Sequence, residues 1–160
     1  MSAAALIKAA KAKGVMLSTA ESCTGGMLSA AITEIAGSSA VFDRTFVTYT
    51  NAAKIQMLGV SPATLEAYGA VSEEVAREMA AGARRNSDAD IAVSITGIAG
   101  PGGSQHKPEG RVCFGLASPS GVTTETVEFG ALGRSAVRAA ARDHGLALLS
   151  KAVDSYAPSN

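Results

Sequence analysis

The stretch VMLSTAESCTGGMLSAAITEI, residues 15–35, decides the fold of this chain. Residues 15–20 are short, apolar and partly β-branched, which predicts a buried strand. Residues 21–26 form a turn of small and polar side chains, and residues 27–35 have the composition of a helix. Because α/β folds place their ligands where a strand leads through such a turn into a helix, the stretch predicts an α/β protein with its chemistry at this turn.

The rest of the chain predicts further helices and strands. Apolar faces, capping serines and closing glycines predict the helices, and two alternating segments predict a hairpin, which argues against an all-parallel sheet. No repeat or linker interrupts residues 1–160, so we expect one domain, an α/β/α sandwich around a mixed sheet. The predicted helices cover residues 3–13, 51–58, 72–86 and 134–156 with a short one after Ser61-Pro62, and the predicted strands cover residues 41–50, 90–96, 111–118 and 122–129.

Composition narrows the classes of function. Hydrophobic residues make up 47% of the chain and charged residues 18%, as in globular proteins. The 14 Lys and Arg residues balance 14 Asp and Glu residues, so the chain lacks the basic surplus with which nucleic-acid binders neutralise phosphates. It also lacks an apolar run of the roughly 20 residues that cross a bilayer, zinc-ligand spacing and a cleavable signal pattern. We therefore expect a cytoplasmic protein that binds neither nucleic acid, membrane nor metal.

The turn at residues 21–26 offers a candidate nucleophile in Ser22. Backbone N–H groups at the start of a helix converge on one point, where they can bind a phosphate or stabilise a developing oxyanion. The alternative is that Ser22 or Thr24 only caps the helix, and the turn alone does not decide between the two. Cys23 is a rival nucleophile, although no histidine lies near it in the sequence.

A second candidate is Lys54, in the motif YTNAAK at residues 49–54. It lies in the first turn of a predicted helix, close to the end of a predicted strand. A lysine acts as a base only when burial or neighbouring positive charge lowers its pKa. The alternatives are an ordinary surface lysine for Lys54 and a core residue for Tyr49.

Two further segments could bind a ligand. The glycines of residues 96–103 permit close backbone approach to a ligand after a buried strand, although a plain surface loop is the alternative. Arg134 and Arg138 lie one helical turn apart. Two guanidinium groups on one face fit a phosphate or carboxylate, and they also fit a solvated helix face.

Taken together, these motifs resemble the C-terminal domain family of the competence/damage-inducible protein CinA, a domain that also occurs alone as nicotinamide-nucleotide amidase. The resemblance covers roughly residues 3–153. It rests on AESCTGG at residues 20–26, YTNAAK at 49–54, AVS at 70–72, TGIAGPGG at 96–103, KPEG at 107–110 and RSAVR at 134–138.

The resemblance implies a fold and an activity. The implied fold is a three-layer α/β/α sandwich around a mostly parallel sheet with one antiparallel strand. The implied reaction is hydrolysis of the carboxamide of nicotinamide mononucleotide to nicotinic acid mononucleotide and ammonia, with no metal and no cofactor. A nucleotide-binding accessory domain without turnover and an amidohydrolase with another carboxamide substrate are the alternatives. The expected partners are a small-molecule pyridine mononucleotide and a second copy of the chain in a homodimer.

The resemblance also assigns roles to individual residues. It implies that Ser22 is the nucleophile, that Lys54 is its general base, and that Tyr49 relays a proton or orients Lys54. The residues implied to bind the substrate are Glu21, Cys23, Thr24, Gly25, Gly26, Thr96, Gly97, Gly100, Gly102, Gly103, Arg134 and Arg138.

Two segments depart from the family pattern. The family commonly has Pro-Val-Gly-Thr-Val where this chain has PEGRV at residues 108–112, and it often has a glycine two residues before the arginine that Gly133 directly precedes here. The sequence therefore leaves open which arginine approaches the phosphate, and what Glu109 and Arg111 do.

Overall fold

A computed structural model describes residues 2–157 of the chain. The chain begins with helices and strands in alternation, continues with three successive helices and three successive strands, and ends in a helix, as the sequence predicts; a short 3₁₀ turn at Ser38–Ala40 precedes the second strand. The helices are α1 (Ala3–Lys13), α2 (Met27–Thr33), α3 (Asn51–Leu58), α4 (Pro62–Tyr68), α5 (Glu73–Arg85) and α6 (Arg134–Ser155), and the strands are β1 (Leu17–Glu21), β2 (Phe42–Val47), β3 (Ile91–Gly97), β4 (Arg111–Ser118) and β5 (Gly121–Glu128).

The five strands form one mixed sheet in the order β2-β1-β3-β4-β5. β1 pairs in parallel with both β2 and β3, whereas β4 is antiparallel to β3 and to β5. Four strands therefore run in one direction and β4 alone opposes them, which confirms the predicted mixed sheet with one antiparallel strand. The description "mostly parallel" holds for strand direction but not for strand pairing, because two of the four pairings are antiparallel.

Helices cover both faces of the sheet. α1, α2 and α6 pack together on one face, and α3 and α4 pack against α5 on the other. The apolar faces that patterning predicts are buried: Leu6, Ile7 and Ala10 of α1 and Leu149 of α6 lie in one core cluster, while Met79 of α5 lies in a second one. The three-layer α/β/α sandwich is thereby confirmed. None of the helices in residues 2–157 is long and apolar enough to cross a membrane.

The ends of the elements differ from the sequence prediction where they build the site. The second strand ends at Val47 and not at residue 50, because Thr50 already caps α3 by accepting the N–H of Ala53 on its Oγ1, at 3.1 Å. Thr48 and Tyr49 therefore connect strand to helix. Glu21 and Val47 form the last residue pair between β1 and β2. The carbonyl groups of the two connecting residues therefore lie beyond the paired strands, next to the end of β1.

Candidate active site

Ser22 is fixed at the end of β1 by the backbone and by its neighbour Glu21. The Ser22 N–H donates to the carbonyl of Ile95 at 3.0 Å, so the residue follows directly on the sheet. Glu21 is fully buried, and its two carboxylate oxygens accept the N–H groups of Leu28 and Ser29 in the first turn of α2, each at 2.9 Å. A carboxylate at a helix N-terminus satisfies donors that have no partner within the helix. Glu21 therefore holds the turn in place from beneath.

Lys54 reaches Ser22 from α3. Its Nζ lies 3.1 Å from Ser22 Oγ, 3.0 Å from the carbonyl oxygen of Thr48 and 3.2 Å from the carbonyl oxygen of Tyr49. The residue is 1% exposed, although lysine is among the residues that are rarely fully buried without an ionic partner. The structure thus brings the hydroxyl and the amine that the sequence singles out into direct contact.

Burial lowers the pKa of the Lys54 ammonium below its ordinary range, because the charged form loses much more hydration free energy than the neutral form does. Cys23 acts weakly in the opposite direction. Within residues 2–157, Lys54 forms no ion pair with a carboxylate. The amine is thus displaced toward the form that can accept a proton.

A neutral amine at Lys54 can satisfy all three of its contacts. A neutral amine has two N–H donors and one lone pair. In the ammonium form Nζ donates to Ser22 Oγ and to the carbonyl oxygens of Thr48 and Tyr49; in the neutral form the two carbonyls accept the two N–H groups, and the lone pair faces the hydroxyl of Ser22. This is the contact that general-base catalysis requires, since a base must lie within hydrogen-bond reach of the proton it removes.

Ser22 and Lys54 open into a cavity of about 330 Å³ at the carboxyl ends of β1 and β3. The cavity is within the size range of small-molecule sites. The loop after β3 forms one wall of the cavity. No Asp or Glu is among the residues that line the cavity. The lining residues are Ser22, Cys23, Tyr49, Asn51, Lys54, Ala70, Val71, Thr96, Gly97, Ile98, Ala99, Gly100, Pro101, Gly102, Gly103, Ser104, Gln105 and Arg134.

Arg134 is the arginine that lines this cavity. Its guanidinium donates to the carbonyl oxygen of Gly100 at 2.7 Å and to the hydroxyl of Tyr49 at 2.8 Å. Tyr49 is 58% exposed, and its hydroxyl therefore lies at the mouth of the cavity. Tyr49 contacts Lys54 through its backbone carbonyl, and its phenol contacts Arg134; its role as a proton relay or as a group that orients Lys54 stays a prediction.

Arg138 lies outside the cavity lining. Its Nε donates to the carbonyl oxygen of Cys23 at 2.9 Å and its Nη2 to that of Thr24 at 3.4 Å. The side chain therefore braces the turn that carries Ser22 from the α6 side. The sequence places the two arginines on one helix face, but in the structure they differ in position: Arg134 lines the cavity, and Arg138 supports the turn.

Some of the remaining predicted binding residues line the cavity, and others do not. Glu21, Thr24, Gly25 and Gly26 do not line the cavity; Glu21 caps α2, and the Thr24 hydroxyl is buried without a hydrogen-bond partner in the described residues. Thr96 does line it, although its hydroxyl is already donated to the carbonyl of Ala70 at 2.8 Å. The other lining residues that the sequence singles out are Cys23, Gly97, Gly100, Gly102 and Gly103.

Cys23 lines the cavity next to Ser22, but its thiol is a poor nucleophile. Burial raises its pKa to about 11, and the thiol is 6% exposed. Because the thiolate is the reactive form, such a thiol is almost wholly unreactive at neutral pH. The structure therefore favours Ser22 over the rival that the sequence leaves open.

Sequence reasoning missed several residues of the cavity wall. Asn51, Ala70, Val71 and Gln105 line it, and the carbonyl of Thr48 orients Lys54. The motif AVS at residues 70–72 was a signal for two of them. Backbone carbonyl groups carry no sequence signal, so the role of Thr48 could only come from the structure. Within residues 2–157, no three His, Cys, Asp or Glu side chains cluster in a way that could hold a metal ion.

Comparison with known proteins points to one family. The sequence matches the CinA C-terminal domain over residues 1–153. It is 59% identical over 132 residues to the nicotinamide-nucleotide amidohydrolase PncC of Enterobacter agglomerans, covering 81% of this chain and 80% of the relative. It is 52% identical over 143 residues to PncC of Escherichia coli K12, covering 89% of this chain and 87% of the relative.

A solved structure agrees with the sequence comparisons. The crystal structure of the competence/damage inducible protein CihA from Agrobacterium tumefaciens matches the fold with a TM-score of 0.91 at 49% identity, over 95% of this chain and 93% of that one. The residues that match the domain include every residue that lines the cavity.

Proposed function

The chain belongs to the CinA C-terminal domain family, and from this premise we propose that it is a nicotinamide-nucleotide amidase. The reaction is hydrolysis of the carboxamide of nicotinamide mononucleotide, which gives nicotinic acid mononucleotide and ammonia. Two relatives above 50% identity bear the name nicotinamide-nucleotide amidohydrolase. We further propose that the chain uses a Ser/Lys mechanism without a metal or cofactor.

The contact between Ser22 and Lys54 carries the mechanistic part of this proposal. A serine hydroxyl becomes a useful nucleophile when an adjacent base removes its proton. Lys54 lies 3.1 Å from that hydroxyl, and its pKa is lowered by burial. A domain that only binds a nucleotide would have no need for a buried amine on a serine hydroxyl.

The first half of the reaction forms an acyl-enzyme. Ser22 Oγ attacks the carboxamide carbon as its proton passes to Lys54 Nζ, and the carbonyl oxygen becomes an oxyanion. Lys54 then gives the proton to the amide nitrogen, the C–N bond breaks, and ammonia leaves. In the second half, water loses a proton to Lys54 and attacks the ester, which releases the carboxylic acid and restores the Ser22 hydroxyl.

Backbone N–H groups of the turn can stabilise the oxyanion. The Gly25 N–H is not available, because it donates to the carbonyl of Ser22 at 3.0 Å. Those of Cys23 and Thr24 donate to no other residue within residues 2–157, and the Cys23 N–H contacts only the thiol of its own side chain. Loss of one such donor typically costs about 3–4 kcal/mol of transition-state stabilisation. We assign this role to the Cys23 N–H first, since Cys23 lines the cavity.

Arg134 is the residue that we assign to the phosphate of the substrate. It is the lining residue with a permanent positive charge, and no carboxylate of the lining competes for it. A guanidinium group binds phosphate oxygens in a bidentate manner. The site would therefore hold the carboxamide at Ser22 and the phosphate at the mouth of the cavity.

We also place the reaction in the cytoplasm. Cys23 and Cys113 are both free thiols in the structure, as the reducing conditions of that compartment favour.

Incubating the purified chain with nicotinamide mononucleotide tests the proposed reaction. We expect ammonia and nicotinic acid mononucleotide in equal amounts, and much slower release from the riboside that lacks the phosphate. Binding of the mononucleotide without ammonia release would favour the alternative of a nucleotide-binding accessory domain. Equal rates on both compounds would indicate another carboxamide substrate.

A further inference from the structure

Glu109 connects the two segments that form the outer wall of the cavity. Its Oε1 accepts the N–H of Gly102 at 2.7 Å, and its Oε2 accepts the N–H of Gly133 at 3.0 Å. Gly102 belongs to the glycine loop after β3, and Gly133 is the N-cap residue of α6. A single carboxylate therefore joins two segments about thirty residues apart in the sequence.

The carboxylate also packs against the loop itself. A Cβ atom on Gly100 would lie 2.5 Å from the carboxyl carbon of Glu109, so only a glycine allows this approach. The same Gly100 offers its carbonyl oxygen to Arg134 at 2.7 Å. Glu109 and Arg134 thus hold the loop at Gly100 and Gly102 from two sides.

These contacts form a closed network of hydrogen bonds that includes Arg134. Gly133 directly precedes Arg134, the first residue of α6. Glu109 therefore fixes both the backbone from which Arg134 extends and the loop that its guanidinium contacts. Hydrogen bonds to a charged acceptor are among the stronger ones in proteins, which suits a bridge between two exposed segments.

We propose that Glu109 is a positioning residue for substrate binding, which holds Arg134 and the glycine loop in the geometry that receives the phosphate end of the substrate. This inference rests on the proposed function. It does not make Glu109 a catalytic residue, because the side chain does not line the cavity.

The neighbouring charged residue Arg111 has a different place and supplies a matched control. Its Nε lies 2.6 Å from Glu128 Oε1, and the two residues are opposite each other in the β4–β5 ladder. Arg111 does not line the cavity either. The Arg111→Thr variant removes a charge two residues from Glu109 without touching the bridge, so it should leave both kinetic constants unchanged.

Two variants of Glu109 separate the bridge from the charge. Glu109→Val removes both acceptors, and Glu109→Gln retains one carbonyl oxygen and loses the charge. We expect Glu109→Val to raise KM for nicotinamide mononucleotide about tenfold, because loss of a hydrogen bond to a charged acceptor has an effect of this order. We expect a smaller rise for Glu109→Gln, and a change in kcat smaller than that in KM for both variants, since β1 and α3 place Ser22 and Lys54 without Glu109.

A double-mutant cycle with Arg134→Ala tests whether Glu109 acts through Arg134. We expect Glu109→Val to raise KM much less in the Arg134→Ala background than in the wild-type background. The proposal is overturned if KM is unchanged in both Glu109 variants, if Glu109→Val has its full effect without Arg134, or if Arg111→Thr has the same effect. Thermal denaturation of each variant accompanies the kinetics, and Glu109→Gln serves where the valine variant does not fold.

Binding measurements keep this inference separate from the proposed reaction. If the wild-type chain releases no ammonia, the proposed function fails, and calorimetric titration with nicotinamide mononucleotide then tests Glu109. A Kd that rises about tenfold in Glu109→Val and not in Arg111→Thr supports the positioning role, in line with the strength of charged hydrogen bonds. Equal Kd values in the wild type and the Glu109 variants contradict it.

Discussion

Lys54 combines the burial of a core residue with the chemistry of a base. At 1% exposure it is among the largest fully buried side chains of the described structure. Burying an ammonium group without a counter-ion is costly, so such a lysine moves toward its neutral form. The carbonyls of Thr48 and Tyr49 keep both N–H groups of that neutral form satisfied. Burial and three hydrogen-bond contacts, which the residues after β1 and β2 provide, thus suit Lys54 to act as a base.

The pH dependence of turnover should report this neutral amine. Because Lys54 accepts a proton only when it is uncharged, kcat should fall as the pH drops below the lowered pKa of Lys54 and level off above it. The apparent pKa should lie below the ordinary lysine value of about 10.4. Steady-state kinetics over the whole pH range in which the protein stays folded measure it.

An exposed lysine provides the control for this pH profile. Lys151 on α6 is exposed, so the Lys151→Met variant should keep the wild-type profile, whereas Lys54→Met should lose turnover at every pH. A rate that falls as the pH rises, or an apparent pKa at or above the ordinary lysine value of about 10.4, would be incompatible with Lys54 as the base.

At the scale of elements, close backbone packing brings α3 and α5 together beneath the site. Gly82 of α5 faces the end of α3, and a Cβ atom there would lie 2.0 Å from the carbonyl oxygen of Leu58. Such a distance requires the backbone of one helix to move. Since α3 carries Lys54, the packing of Gly82 also sets how far Lys54 reaches toward Ser22.

In the Gly82→Ala variant, helix propensity and packing have opposite effects on the free energy of unfolding. Helix propensity favours alanine by about 1 kcal/mol in a helix interior, whereas overpacking typically costs about 1–3 kcal/mol and more against rigid backbone. We expect the clash to dominate and the variant to lose about 2 kcal/mol of unfolding free energy. Urea denaturation measures this.

Gly14→Ala is the matched control for this substitution. It adds a methyl group with no atom within 4 Å at a φ of +66°, so it should show only the cost of a left-handed backbone. A Gly82→Ala protein as stable as the wild type would show that the two helices do not pack as closely as described.

The elements were largely predictable from the sequence, and the contacts between them were not. Ser61 and Ser72 cap α4 and α5 as predicted, since a cap depends on residues two or three positions apart. Arg138 reaches the carbonyl of Cys23, 115 positions away, and Glu109 reaches Gly133. Such side chains resemble ligand-binding groups in the sequence. Only the packing of distant elements shows that these side chains already form hydrogen bonds with backbone groups.

At the scale of the whole molecule, the catalytic arrangement and folding stability are linked through the same amine. Lys54 has a lower pKa in the folded chain than in the unfolded chain. Between these two pKa values the unfolded chain binds a proton that the folded chain does not. Unfolding therefore takes up a proton, and the free energy of unfolding rises with pH in this window.

The difference in stability between the wild type and Lys54→Met should show this linkage. The free energy of unfolding of the wild type should rise relative to that of Lys54→Met between the lowered pKa of Lys54 and its unfolded-state value of about 10.4, by at most about 1.4 kcal/mol per pH unit. The comparison cancels other titrating groups, which both proteins share. Urea denaturation at several pH values measures it, and Lys151→Met should show no such trend. A difference that stays constant with pH would mean that Lys54 is charged in the folded protein.

The central claim is that the hydroxyl of Ser22 attacks the substrate. The most direct test compares ammonia release by the wild type, Ser22→Ala and Cys23→Ala, with binding of the mononucleotide followed by calorimetry. We predict that Ser22→Ala binds the mononucleotide and releases no ammonia, while Cys23→Ala retains turnover because its buried thiol is protonated at neutral pH. Undiminished ammonia release by Ser22→Ala would contradict the account.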